Sequence, residues 1–149
     1  MKKLILLPVF FLCICCVFAA PDKFYNLDGK GFSYQEIVFS PKTVLFFWTS
    51  QCPYCIRSFN HMNENTSLFD GVNVYFINLG EDGRVVSRVA KYLKLKDTIV
   101  EKILLDRQDF FSDEFTIIGV PTYIFLSKGK VIARTYYVDE ALLGRVFKE

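Results

Sequence analysis

Histidine, tryptophan and cysteine are scarce in this chain of 149 residues, and their scarcity removes whole classes of chemistry. There is one histidine, one tryptophan and five cysteines, and Cys13, Cys15 and Cys16 lie within the first twenty residues. Beyond them only Cys52, Cys55 and His61 remain. A structural zinc site takes four Cys or His ligands, so this set needs a carboxylate to complete it. Haem attachment through CxxCH fails because Ile56 follows Cys55. No metal and no cofactor is expected. Charge of one sign is missing too. The formal net charge of +2 comes from Lys2 and Lys3, and residues 21–149 carry 16 basic and 16 acidic side chains. Without a basic run, nucleic acid and anionic membrane surfaces lose their electrostatic basis. Repeats, low-complexity tracts and linker-like stretches are absent.

The one long apolar run is Leu4 to Phe18, behind Lys2 and Lys3 and ahead of small residues at Ala19 and Ala20. A charged start, an apolar middle and a small-residue exit describe a secretory leader. The run is short against the roughly 20 residues a spanning helix needs, and Pro8 interrupts it. Residues 1–20 are therefore read as a signal peptide. A retained N-terminal membrane anchor and a lipid-modified cysteine are the alternatives, and the anchor would be the chain's only membrane contact. Residues 21–149 are read as one domain, exported to the periplasm or an equivalent space. Its composition, 52% hydrophobic and 17% aromatic over the whole chain, suits a well-filled core.

Within the domain, Asp28-Gly29 and Lys30-Gly31 sit between apolar stretches and predict a hairpin. TVLFFW (43–48) and VNVYFINL (72–79) predict strands buried on both faces. Pro53 opens a helix to about Glu64. Arg84 to Leu93 places Val85, Val86, Val89, Tyr92 and Leu93 at helical spacing. KILLD (102–106) reads as a short strand and Asp109 to Phe115 as a short helix. TYIFL (122–126) and VIARTYY (131–137) read as a hairpin, and Asp139 to Phe147 as a closing helix. Strands that alternate with helices and end in a hairpin plus helix imply an α/β sandwich around a mixed sheet.

Cys52 and Cys55 admit three uses. The zinc site would need a further ligand. A purely structural disulfide closes a four-residue loop, worth about 2 kcal/mol against about 5 for a hundred-residue loop. Electron transfer matches the local physics. Cys52 precedes Pro53 at a helix N-terminus, where unpaired backbone N–H groups and the helix dipole favour a thiolate. Cys55 lies about one turn on, facing the same side, and can resolve a mixed disulfide.

The stretch FFWTSQCPYC, followed further along by GVPTYIF, resembles the thioredoxin fold. FYNLDGKGFSYQEI and LLDRQDFFSDEFTIIGVPTYIFLSKGKVIART resemble its exported TlpA/ResA branch in particular, so the similarity spans nearly all of residues 21–149. It implies a central mixed β-sheet flanked by helices with an N-terminal β-hairpin extension. It implies an extracytoplasmic thiol–disulfide oxidoreductase, more often a reductant, acting on client proteins with disulfides or thiols and re-reduced by a membrane-embedded thiol donor. By position, Cys52 matches the exposed nucleophile, Cys55 the resolving cysteine and Trp48 the aromatic beneath the site. Trp48 is counted with Pro53, Tyr54, Val120 and Pro121 among the substrate-binding residues. Pro121 matches a proline whose preceding bond is cis, letting Val120 pair with a substrate strand. Pro53 and Tyr54 shape partner contacts.

Three departures stand out. Phe46 replaces the buried acid of thioredoxins, Ser58 the glutamate common in the TlpA/ResA branch, and Gln51 the aromatic that often precedes the first cysteine. No base for Cys55 is identifiable. Two competitors remain. A thiol peroxidase is suggested by Thr49 three residues before Cys52, although Leu45 stands where its proline belongs. A non-enzymatic binding module with incidental cysteines is the other. His61 reads as a solvated helix residue, Asp106 as turn punctuation, and Glu81-Asp82 as a helix cap.

Overall fold

A six-residue run whose only polar side chain is the threonine at its start must be covered on both faces, and Thr43–Trp48 is wholly buried. This strand is the centre of the computed structural model, which describes residues 23–147. The leader reading of residues 1–20 falls outside the described residues. In chain order the elements are β1 (Lys23–Tyr25), β2 (Gly31–Ser33), α1 (Tyr34–Val38), β3 (Thr43–Trp48), α2 (Pro53–Glu64), β4 (Asn73–Leu79), α3 (Gly83–Tyr92), α4 (Asp97–Val100), β5 (Ile103–Asp106), α5 (Phe110–Glu114), β6 (Thr122–Ser127), β7 (Lys130–Thr135) and α6 (Glu140–Val146). The main sheet has the order β5-β4-β3-β6-β7. β3, β4 and β5 run parallel, while β6 and β7 are antiparallel additions. β1 and β2 form the separate N-terminal hairpin, closed by a turn in which Gly29 takes φ +80°. This is the thioredoxin-like architecture.

Alternation along β3 divides the core. Val44, Phe46 and Trp48 face a layer with Phe59 and Met62 of α2, Val86 and Ala90 of α3, and Leu143 of α6. Leu45 and Phe47 face the hairpin and α5, through Phe24, Phe32, Phe111 and Phe115.

Several local expectations need correction. Tyr92 does not join the buried face of α3: it is 84% exposed, and the small Ala90 packs in its place. Glu81 does not cap α3; the N-cap is Asp82, which accepts the Arg84 N–H at 2.8 Å. β7 ends at Thr135, leaving Tyr136 and Tyr137 outside it and exposed. Asp106 stands just ahead of the turn rather than in it, as the buried last residue of β5, and accepts the Ser112 N–H at 2.9 Å. The helices α1 and α4 and a 3-10 turn at Thr66–Phe69 are additional.

Candidate active site

The site grows from the junction of β3 and α2. β3 delivers the chain to a turn closed by the Cys52 N–H donating to the Thr49 carbonyl at 3.3 Å. Cys52, still in the extended region, is the N-cap of α2, with Pro53 in the first helical turn. Proline suits that place because its missing N–H would be unpaired there anyway. The Cys52 Sγ stands where a capping oxygen usually does and accepts the Cys55 N–H at 3.1 Å.

Cys52 and Cys55 form a disulfide with Cα atoms 5.2 Å apart. Cys55 is wholly buried and Cys52 is 8% exposed. The accessible sulfur is thus the first one, but as a sliver rather than an open edge. Its surroundings carry the exposure: Gln51 and Pro53 are exposed, and Tyr54 is 64% exposed with the Arg57 guanidinium stacked 4.4 Å from its ring centre. No acid lies in the first turn of α2, so nothing there offsets the dipole's pull on a negative sulfur.

Trp48 lies beneath the pair with no exposed surface, edge-on to Phe59 at 4.7 Å. It supports the site from below and offers no face to a client, which corrects its expected share in direct contact. Val120 is half-buried and packs against both layers of the core. The Val120–Pro121 bond is cis. Pro121 and Tyr54 line one cleft of about 450 Å³ together with Ser58, Tyr123, Tyr136 and Tyr137.

The family acids have apolar and hydroxyl replacements. Phe46 is fully buried, 4.6 Å from the Tyr123 ring and 5.3 Å from Phe59. Ser58 hydrogen-bonds Tyr123, whose phenol burial pushes up to about 12, a rise the Ser58 bond only partly offsets. One residue escaped the sequence reading and another was misread. Ile118, in the loop before Pro121, is 86% exposed. Glu81 turns back to the redox turn, where one carboxylate oxygen accepts the Ser50 N–H at 2.7 Å and the other accepts the Ser50 hydroxyl. Among the described residues no cluster of three or more His, Cys, Asp or Glu is placed to hold a metal ion.

The Redoxin family model matches residues 19–142. The chain belongs to the Redoxin family. Among solved structures, this Redoxin chain is similar to StoA from Bacillus subtilis, with TM-score 0.68 and 25% identity over 85% of this chain and 95% of that one. It is similar to a secreted Mycobacterium tuberculosis disulfide oxidoreductase homologous to E. coli DsbE, with TM-score 0.67 and 18% identity over 83% and 92%. It also resembles the exposed lipoprotein thioredoxin Etrx1 of Streptococcus pneumoniae, with TM-score 0.61 and 18% identity over 84% and 96%. No curated protein matches the sequence. Family membership together with a disulfide at a helix start makes this Redoxin chain a thioredoxin-like protein-disulfide oxidoreductase.

Proposed function

We propose that the protein works outside the cytoplasm, exchanging with disulfides of client proteins and serving chiefly as their reductant. The observation that carries this reading is the placement of Cys52 as N-cap of α2, its sulfur accepting the Cys55 N–H, with Cys55 sealed behind it. In the reduced protein the Cys52 thiolate attacks a client disulfide. One client sulfur leaves as thiolate, and a mixed disulfide forms on Cys52. Cys55, once deprotonated, attacks the Cys52 sulfur and expels the second client thiolate. The internal disulfide is then back, and two electrons have passed to the client. A membrane-embedded dithiol donor restores the reduced pair by the same exchange in reverse.

Pro53, Tyr54, Val120 and Pro121 are the proposed client-facing residues, because Tyr54 in the first turn of α2 and Pro121 after the cis bond line one cleft, with Pro53 and Val120 beside them in the chain. An extracytoplasmic location draws support from the leader pattern of residues 1–20. Two structural relatives, one secreted and one an exposed lipoprotein, agree with it. No helix among the described residues is long and apolar enough to cross a membrane.

The test is insulin-disulfide reduction. Cys52→Ser should abolish it and Cys55→Ser should accumulate mixed disulfides with clients; full activity in Cys52→Ser refutes the reading. Direction is tested by equilibrating the pair with glutathione. A potential near the about −270 mV of thioredoxins supports reduction, and one near the about −120 mV of a strong oxidant reverses it.

A further inference from the structure

The geometry points to Glu81 as a positioning residue of the redox turn, acting through Ser50 on the sulfur of Cys52. The inference rests on Cys52 being the attacking sulfur. Glu81 lies in the short link between β4 and α3, and Asp82 does the capping its position suggested. That leaves the Glu81 carboxylate for Ser50, whose N–H and hydroxyl reach its two oxygens. A third donor fixes the carboxylate itself. Asn78, wholly buried and the register partner of Trp48, donates its amide to Glu81 at 2.6 Å. The same Asn78 accepts the Glu81 N–H at 3.3 Å. The clamp therefore runs from the buried end of β4 to the residue two places before Cys52.

The turn needs such an anchor. Its closing bond joins Cys52 to Thr49, and the Ser50 N–H finds its acceptor in Glu81. The value of an N-cap sulfur lies in alignment with the backbone N–H groups of the first turn, and hydrogen bonds weaken steeply once that alignment is lost. A carboxylate held on the residue two places before Cys52 also has an opposing effect, since its charge disfavours a thiolate. Positioning and repulsion carry opposite signs, and this separates them experimentally.

The experiment follows iodoacetamide alkylation of the reduced full chain against pH, with the product mapped to the peptide bearing Cys52. Wild type, Glu81→Ala, Glu81→Gln and Ser50→Ala are compared, with thermal unfolding measured in parallel. If Glu81 positions the turn, Glu81→Ala moves the alkylation midpoint up by about one unit, the low end of what a helix start confers. At pH 6 the tenfold loss of thiolate is partly offset by a more basic, more nucleophilic sulfur, so the rate falls roughly threefold. Glu81→Gln keeps an acceptor oxygen for Ser50 and should recover most of this. Ser50→Ala, which removes only the hydroxyl arm, should shift the midpoint less in the same direction.

A downward shift in both Glu81 variants would show that charge dominates and overturn the inference. So would an unchanged midpoint with only a lower unfolding temperature, which would make the clamp merely structural. Insulin reduction that survives in Cys52→Ser would instead sink the functional reading, and this inference with it.

Discussion

The two faces of the central sheet are built from the same kind of residue and do different work. On the hairpin side, Phe24 packs 4.2 Å from Phe111, and Phe111 stacks at 6.4 Å on Phe115. On the α2 side, Phe59 meets Trp48, Phe46 and Phe76 at 4.7, 5.3 and 5.5 Å. Both are dry aromatic layers under one strand. Only the second carries a helix whose N-cap is a cysteine, and there the disulfide sits. Phe46 is fully buried there, and the first turn of α2 carries no acid. Thiolate stabilisation consequently falls to backbone N–H groups and to the helix dipole. The chemistry of this protein comes from chain direction more than from charged side chains.

The comparison breaks most visibly under truncation of one aromatic on each side. Phe111→Ala and Phe59→Ala should each cost about 3–5 kcal/mol of stability, since each removes a fully buried ring. Only Phe59→Ala should also change the glutathione equilibrium of the pair, because its ring supports Trp48 and α2 itself. Equal changes in both variants would mean that the faces are not separable.

A smaller effect shows what the faces share. Tyr75 on the hairpin side and Tyr123 on the α2 side both have phenols pushed up to about 12, with burial the leading cause. A phenol kept neutral in the fold loses this advantage as the unfolded chain begins to ionise, near pH 10. From there toward 12 the folded state binds more protons than the unfolded one, and stability falls with rising pH. Tyr75→Phe and Tyr123→Phe should each flatten that alkaline limb in urea titrations. Tyr123→Phe should in addition lose about 1 kcal/mol at pH 7 with its Ser58 hydrogen bond.

Much of this was legible in the sequence where a single local rule governed. β3 reads as an unbroken β-branched and aromatic run because a central strand flanked on both sides needs nothing else. α2 starts at Pro53 as expected, since proline's ring and missing N–H allow few other places. The misses have physical causes. Periodicity could not weigh Ala90 against Tyr92, because spacing records hydrophobicity and not the room available beneath a helix. The five-residue α1 and four-residue α4 are too short for any period to register. Glu81 was misread because a local capping motif was available, whereas its actual partner, Ser50, is 31 residues away in the chain. Folding alone brings those two together.

The hairpin side also holds a buried carboxyl, and it yields the subtlest test. Asp106 is 2% exposed at the end of β5, and its carboxyl is raised from its ordinary 3.8, chiefly by burial. Backbone N–H groups of Phe110, Phe111 and Ser112 pull in the opposite direction and only partly compensate. For an acid raised in the fold, the native state holds its proton where the unfolded chain has released it. Stability therefore declines as pH climbs from about 3.8 through the folded value, and below that window the effect is absent. Asp106→Asn keeps an oxygen for the Ser112 N–H and removes the ionisation. Its cost relative to wild type should be greater at pH 3.5 than at pH 7, as read from urea midpoints at the two values. A cost that grows with pH would mean that the three N–H groups outweigh burial, making this carboxylate a favourable anchor of α5 comparable to the one Glu81 supplies on the other side.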